Sequence, residues 1–363
     1  MPDLFDGFFS DKTILVTGHT GFKGSWLSLW LGELGAKVCG YALAPDTEPG
    51  LFNQLGLSTL MDSRLGDVRD YALLERTLKE TRPDIVFHLA AQPLVRRSYK
   101  EPLETFSTNV LGTANVIEAA RKTKSARVCQ VITTDKCYEN HETGQAYRED
   151  DRLGGRDPYS ASKACAEMVV SSMRASFFQA EGAASLSSAR AGNVFGGGDW
   201  AQDRLIPDCA RALGSGEAAL IRNPRSVRPW QFVLDPLCGY LRLAARQWER
   251  PRDYAEAWNF GPPASSARAV GEVADLFVQA WGSGRWQAAA QDGAPHEAGL
   301  LQLESGKAKK RLDWRPVYTL EEGIARTARW YREAAKPGFD ALGFTRGQIK
   351  EYAHAALAAG ARR

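Results

Sequence analysis

Three glycines spaced three apart, Gly18-His-Thr-Gly21-Phe-Lys-Gly24, constrain this chain more than any other stretch. They follow the β-branched run Lys12–Thr17 (KTILVT) and open Phe22–Leu34, where apolar residues recur at 22, 26, 27, 30, 31 and 34, a helical spacing. Strand, glycine turn and helix together let the backbone approach a pyrophosphate, which the free N–H groups of the helix start attract. An ordinary βα turn can carry such glycines; the strand–loop–helix context favours the phosphate reading. An acid for the adenosine ribose is expected about 20 residues on. The second strand, Lys37–Tyr41, runs out at Ala44-Pro-Asp46, and Asp46 behind its proline reads equally well as a plain loop residue. Gly66-Asp67-Val68 is a second candidate, either capping an adenine amino group or simply turning the chain.

The same alternation continues. Tyr71–Glu80 reads as a short amphipathic helix, Asp84–Leu89 as a strand after Pro83, and Leu103–Arg121 as one long helix. Arg127–Thr133 is a strand, Tyr159–Gln179 a helix and Ala184–Arg190 a strand. This rhythm predicts βαβ units on a doubly wound parallel sheet. Past residue 192 glycine and proline multiply and strands become rare, so a smaller lobe of helices and loops is expected, with Ala257–Phe260 free to return to the first sheet. The chain of 363 residues then divides into 1–192 plus about 229–262, and 193–228 plus 263–363.

Composition excludes several classes. Forty-four per cent hydrophobic residues, ten Trp and eleven Tyr exclude disorder. Lys+Arg 46 against Asp+Glu 43 lacks the basic bias of a nucleic-acid or membrane-surface protein. The six Cys form no C-x-x-C, so no metal site is expected, and free thiols fit a reducing, cytoplasmic setting. The first residues, MPDLFDGFFSDKTILV, lack the basic start of a secretion signal, and the burst WLSLWL (26–31) is too short to span a bilayer.

Tyr159-Ser-Ala-Ser-Lys163 puts a phenol and an ammonium on one helix face. A lysine one turn away lowers the phenol's pKa, so that the phenolate can act as a base. Surface Tyr–Lys pairs of this spacing are common; position in the chain adds the weight. The preceding strand ends in Thr133-Thr134-Asp135-Lys136, at the carboxyl edge where open α/β sheets bind their ligands.

With these elements in this order the chain resembles the extended short-chain dehydrogenase/reductases, a Rossmann-type α/β fold with a smaller C-terminal α/β substrate lobe, and among them the CDP-glucose 4,6-dehydratase branch. The resemblance runs nearly end to end, through VTGHTGFKGSWLSLWL (16–31), FHLAAQPLVRRSY (87–99), TTDKCYEN (133–140), YREDD (147–151), DPYSASKACAE (157–167), ARAGNVFGGGDWAQDRLIP (189–207) and IRNPRSVRPWQ (221–231). It implies NAD, retained through an internal redox cycle, and a nucleotide sugar such as CDP-glucose. Tyr159, assisted by Lys163, would take the C4 hydroxyl proton, with Thr134 holding that oxygen. Asp135 would be the acid for the C6 hydroxyl, and Lys136 the C5 base, which needs a depressed pKa. The cofactor would lie on Gly18, Thr20, Gly21, Phe22, Lys23, Gly24, Asp67, Val68, Leu89, Ala90, Ala91, Thr133, Tyr159 and Lys163. The substrate would meet Gln92, Asn193, Arg204, Leu205, Arg222, Arg228 and Glu297. A homodimer through 103–121 and 159–179 is implied by the superfamily.

The chain departs from that pattern at His141–Tyr147, where a Trp-rich segment is usual, and at Phe232, Ala44, Gly299-Leu300 and Asp313. These bear on base, sugar and the NAD/NADP choice; the catalytic set is intact. Two other readings stand beside the first: a 4,6-dehydratase or 4-epimerase of a different nucleotide hexose, and a non-catalytic cofactor-binding protein. The basic run Lys307–Arg311 reads as a solvated helix face. Between 204 and 228, five arginines (204, 211, 222, 225, 228) face only Asp208 and Glu217, a local basic wall suited to a pyrophosphate.

Overall fold

The computed structural model describes residues 4–142, 144–289 and 300–360. Seven strands form one sheet: β1 (Thr13–Thr17), β2 (Lys37–Ala42), β3 (Asp62–Leu65), β4 (Ile85–His88), β5 (Val128–Thr133), β6 (Ser185–Arg190) and β7 (Ala257–Asn259). All pair in parallel, in the order β7-β6-β5-β4-β1-β2-β3. The strand order reverses between β1 and β4, which opens a crevice at their carboxyl ends. Thr17 there stands level with Tyr41 and His88.

The principal helices are α1 (Phe22–Glu33), α2 (Tyr71–Thr81), α3 (Gly112–Lys122), α4 (Pro158–Phe177), α5 (Leu205–Gly214), α6 (Leu234–Glu249), α7 (Leu320–Ala334) and α8 (Ala341–Ala358). Trp26, Leu27, Trp30 and Leu31 are fully buried, so the WLSLWL burst is a helix covered all round. Its second cover is α8: the Tyr352 ring meets Trp30 edge-on at 5.6 Å, and Arg346 reaches Glu33 at 2.6 Å. Residues from α1, α6, α7 and α8 share one continuous core with the sheet.

Three expectations change. The helix expected over 103–121 is present but not regular: Pro102–Phe106 continues through a wide π turn at Ser107–Leu111 into α3, with helical backbone throughout. The wide turn aims Asn109 inward, where its amide donates to Gln92 O at 3.1 Å and Ser162 Oγ at 2.8 Å, while its Oδ1 accepts from Gln92 N. The edge strand β3 had no apolar signal, being DSRL with half-exposed residues. Strands are not rare beyond 192 among the described residues: Val194–Phe195 pairs Gln231–Phe232, Ala219–Ile221 pairs Trp286–Ala288, and Val227–Pro229 pairs Ala267–Ala269. At two or three residues each, they are too short to show an alternation. Ala257–Asn259 does return to the main sheet, beside β6.

Candidate active site

The glycine loop fits a dinucleotide by its geometry. A Cβ on Gly18, whose φ is +75°, would stand 2.6 Å from Ala90 N, and one on Gly24 would stand 2.1 Å from Gly18 O. The first turn of α1 therefore packs directly on the loop, and Leu89–Ala90 closes it from the β4 side. Thr20 Oγ1 donates to Leu43 O at 2.9 Å, tying the loop to the β2 tip. Phe22 and Lys23 face a cavity of about 310 Å³. Lost hydration, with Lys163 and Arg204 adding to it, brings the Lys23 ammonium down to about 7. At the β3 tip both Asp67 oxygens already receive Arg69, whose guanidinium leads in holding the carboxyl below the usual carboxylate range. Val68 is buried beside it, and its carbonyl accepts from Asn115.

The end of β5 forms one wall of this cavity. Thr134 caps a 3₁₀ turn over Asp135–Cys137, and its hydroxyl donates to Asp135 Oδ1 at 2.8 Å. Thr133, Thr134, Asp135, Lys136 and Tyr159 all line the cavity. Burial pushes the Asp135 carboxyl up, against the pull of Lys136, the Thr134 hydroxyl and Arg228. A carboxyl biased toward its protonated form suits a general acid. Lys136 is half-buried and borders a second, smaller cavity with Tyr138, Asn140 and Asp157.

Tyr159 departs from expectation. Burial pushes its phenol up to about 12, and the groups pulling the other way are the Thr134 hydroxyl and Arg204, not Lys163. Lys163 lies behind the cavity wall: its ammonium reaches Ile132 O at 3.4 Å, and burial brings it down to about 8 against the field of Glu167. One turn further along α4, Glu167 accepts from Thr133 Oγ1 at 2.5 Å, Ser188 Oγ at 2.7 Å and Arg190 at 2.7 Å. Burial alone would raise this carboxyl, yet Arg190 and the two hydroxyls hold it below the usual range. Arg190 also donates to Tyr138 Oη at 2.6 Å. Asn109, Glu167 and Arg190 were not expected from the sequence. Glu167 alone left a signal, the eight-residue step from Tyr159 on one helix face.

On the far wall the structure brings together Asn193, Arg204, Leu205, Arg222 and Arg228. Arg204 pairs with Asp199 at 2.8 Å, and Arg222 with Asp203. The basic wall counted over 204–228 is thus partly neutralised by two acids just ahead of it, and Arg211 is spent on Asp208. Arg228 is buried on the cavity wall. Gln92 does not reach the cavity. Its amide donates to Leu94 O and Thr105 Oγ1 and its Oε1 accepts from Leu94 N, which makes it a loop brace. Phe232 packs in the core between Phe195 and Tyr318 and does not line the cavity. Tyr147 of the divergent segment stacks on Tyr138 at 5.1 Å. Glu297, with His296 and Gly299, lies outside the described residues. Among the described residues no cluster of three His, Cys, Asp or Glu could hold a metal, and no helix is long and apolar enough to cross a membrane.

The profile of the family described as GDP-mannose 4,6 dehydratase matches residues 15–327. A protein of Salmonella typhimurium named CDP-glucose 4,6-dehydratase is 46% identical over 349 residues, 95% of this chain and 97% of that protein. A dTDP-glucose 4,6-dehydratase of Xanthomonas campestris is 30% identical, over 88% of this chain and 93% of its own. Among solved structures, a Thermus thermophilus UDP-glucose 4-epimerase in complex with NAD superposes with a TM-score of 0.76 at 25% identity, covering 88% of this chain and 99% of that one.

Proposed function

The chain belongs to the GDP-mannose 4,6-dehydratase family, and we propose that it is an NAD-dependent hydro-lyase converting CDP-D-glucose to CDP-4-keto-6-deoxy-D-glucose for deoxysugar and polysaccharide synthesis. The observation that supports the reaction type is that the turn Thr134-Asp135-Lys136 and Tyr159 line one cavity. An epimerase has no use for an acid and a base at C6 and C5.

The glycine loop with Thr20, Phe22 and Lys23, the β4 end at Leu89–Ala91, and Thr133, Tyr159 and Lys163 would hold NAD, with Asp67 and Val68 at its adenine end. NAD held there would supply the acceptor for the C4 hydride and the donor that returns it to C6. Tyr159 removes the C4 hydroxyl proton while the Thr134 hydroxyl fixes that oxygen; the Lys163 ammonium offsets the charge that burial disfavours. Once C4 is a ketone the C5 proton is acidic. Lys136 takes it, the C5–H pair becomes the C5–C6 double bond, and the C6 oxygen leaves as water with the proton of Asp135. Lys136 then returns its proton to C5. Arg228 and Arg222 receive the pyrophosphate, a task suited to the guanidinium fork, and Asn193, Arg204 and Leu205 line the path to the sugar. In this reading 1–192 with about 229–262 serves the cofactor, and 193–228 with 263–363, Glu297 included, serves the nucleotide sugar.

We also infer a cytoplasmic homodimer. The six cysteines are free, five of them buried. Leu103 and Leu111 are 83% and 61% exposed, and Met168 and Phe177 on α4 are each 51% exposed, an apolar surface of the kind a partner helix pair covers. Light scattering after size exclusion tests it, and a monomer at micromolar concentration refutes it.

Incubation with NAD and CDP-glucose should give a product lighter by one water, read by mass spectrometry. Turnover of another nucleotide sugar in its place would overturn the substrate and keep the reaction. An unchanged mass with inverted C4 would identify an epimerase. Tyr159→Phe should slow the C4 oxidation by roughly 10²–10⁴-fold.

A further inference from the structure

Asp135 sits in a socket whose back wall is the chain just after β6. A Cβ on Gly192 would stand 2.0 Å from both Cγ and Oδ2 of Asp135 and 2.3 Å from its Oδ1. The carboxyl group supplies all three nearest atoms, so it is the first group a side chain there would meet. Gly192 is not among the residues with positive φ, and the position therefore answers a need for space and not for conformation.

The wall cannot retreat easily. Gln231, itself 3% exposed, donates through Nε2 to Gly192 O at 3.1 Å and to Phe260 O at 2.9 Å, and its own N–H donates to Asn193 O at 3.2 Å. The next residues, Val194–Phe195, pair with Gln231–Phe232. In front, Thr134 Oγ1 donates to Asp135 Oδ1 at 2.8 Å, and Asn193 Nδ2 approaches Oδ2 at 3.4 Å. The carboxyl is thus held between the hydroxyl that caps its own turn and a glycine braced by a buried glutamine.

We propose that Gly192 is a positioning residue for the elimination step: it leaves room for the Asp135 carboxyl to sit back against the braced chain, where its proton faces the C6 oxygen. The proposal rests on Asp135 being that acid. A methyl at 192 displaces the carboxyl, whose atoms are the three nearest to it; Tyr159 and Lys163 are not among them. The first oxidation should then survive and the loss of water should not.

The experiment compares G192A, D135N and the double variant in single-turnover reactions with CDP-glucose. NADH is followed at its absorbance band and the dehydrated sugar by mass spectrometry. In G192A, NADH should form at the wild-type rate and accumulate, while water loss slows roughly 10²-fold, the scale of a displacement of about 1 Å. The double variant should eliminate no more slowly than D135N. D135N eliminating at the wild-type rate overturns both the acid assignment and the role of Gly192. D135N stalled with G192A normal, or G192A slowing oxidation as much as elimination, overturns the role of Gly192 alone. Thermal unfolding gives a second test. G192A should lower Tm in the wild-type background and leave it unchanged in D135A; an equal loss in both backgrounds refutes the socket.

Discussion

Two carboxyl groups lie within the same site, equally cut off from water, and take opposite protonation biases. Asp135 on the wall is 1% exposed and Glu167 beneath it 3% exposed. Glu167 is held below the usual range and Asp135 is pushed above it. Burial acts alike on both, so the difference lies in the donors. Glu167 receives three short ones, one a guanidinium. Asp135 receives a hydroxyl, the backbone N–H of Lys136 and a long amide contact, all neutral, and the fields of Lys136 and Arg228 reduce its shift without reversing it. A fully paired carboxylate is a structural charge, and an under-supplied one is biased toward its protonated form.

The largest effect should come from breaking the paired side. Glu167→Gln leaves Arg190 buried without its anion and should cost about 3–5 kcal/mol, read by denaturant unfolding. Replacing both residues, Glu167→Gln with Arg190→Met, should cost less than Glu167→Gln alone. Equal losses would mean that the two groups do not act as a pair.

Asp135→Asn sharpens the other side. It should slow elimination by roughly 10²–10³-fold, with NADH accumulating, and leave unfolding stability unchanged or improved, since no buried charge is orphaned. A stability loss comparable to that of Glu167→Gln would erase the distinction between wall and floor.

How legible this was in the sequence follows the same division. The cofactor cradle is made of backbone, and Gly18-x-x-Gly21-x-x-Gly24 announces it because only glycine tolerates the approach to Ala90. The wall was legible because Thr134, Asp135, Lys136 and Tyr159 cluster at one strand end and one helix start. The floor was not: Glu167 pairs with Arg190 across 23 residues of sequence and with Thr133 across 34, and no local period encodes such a partner. Asn109 was hidden in a π turn that an uninterrupted helical pattern cannot show. The arginine count over 204–228 failed for a related reason. Asp199 and Asp203 stand outside the window that was counted and pair with residues inside it.

Opposite shifts also predict opposite slopes with pH. Glu167, with a depressed native pKa, contributes stability above its unfolded value near 4.3 that is lost as pH falls toward the native value. Asp135, with a raised native pKa, binds its proton more tightly when folded. Its contribution is present below about 3.9 and is lost as pH rises through the native value. Elimination should fall over the same rise, since the acid must be protonated, and Asp135→Asn should remove that limb from the pH–rate profile. A limb that persists in the variant belongs to another group.

The smallest effect tests whether supply of donors governs carboxyl groups elsewhere in the molecule. Asp235 on α6 is 1% exposed and raised by burial to about 7, although its Oδ1 accepts from Val317 N at 2.8 Å and Tyr352 Oη at 3.0 Å. Two neutral donors hold the side chain in place, linking α6 to α8, without keeping it ionised, as on the wall and unlike the floor. Between about 4 and about 7 the folded chain holds a proton that the unfolded chain has shed, so stability falls as pH climbs through that window. Asp235→Asn keeps an oxygen for both donors and carries no charge. It should match the wild type at pH 4 and exceed it at pH 8, seen as a Tm gain that grows with pH. A variant less stable than wild type at pH 8 would mean that the ionised carboxylate is favoured at this joint, and that neutral donors alone suffice to hold a buried charge.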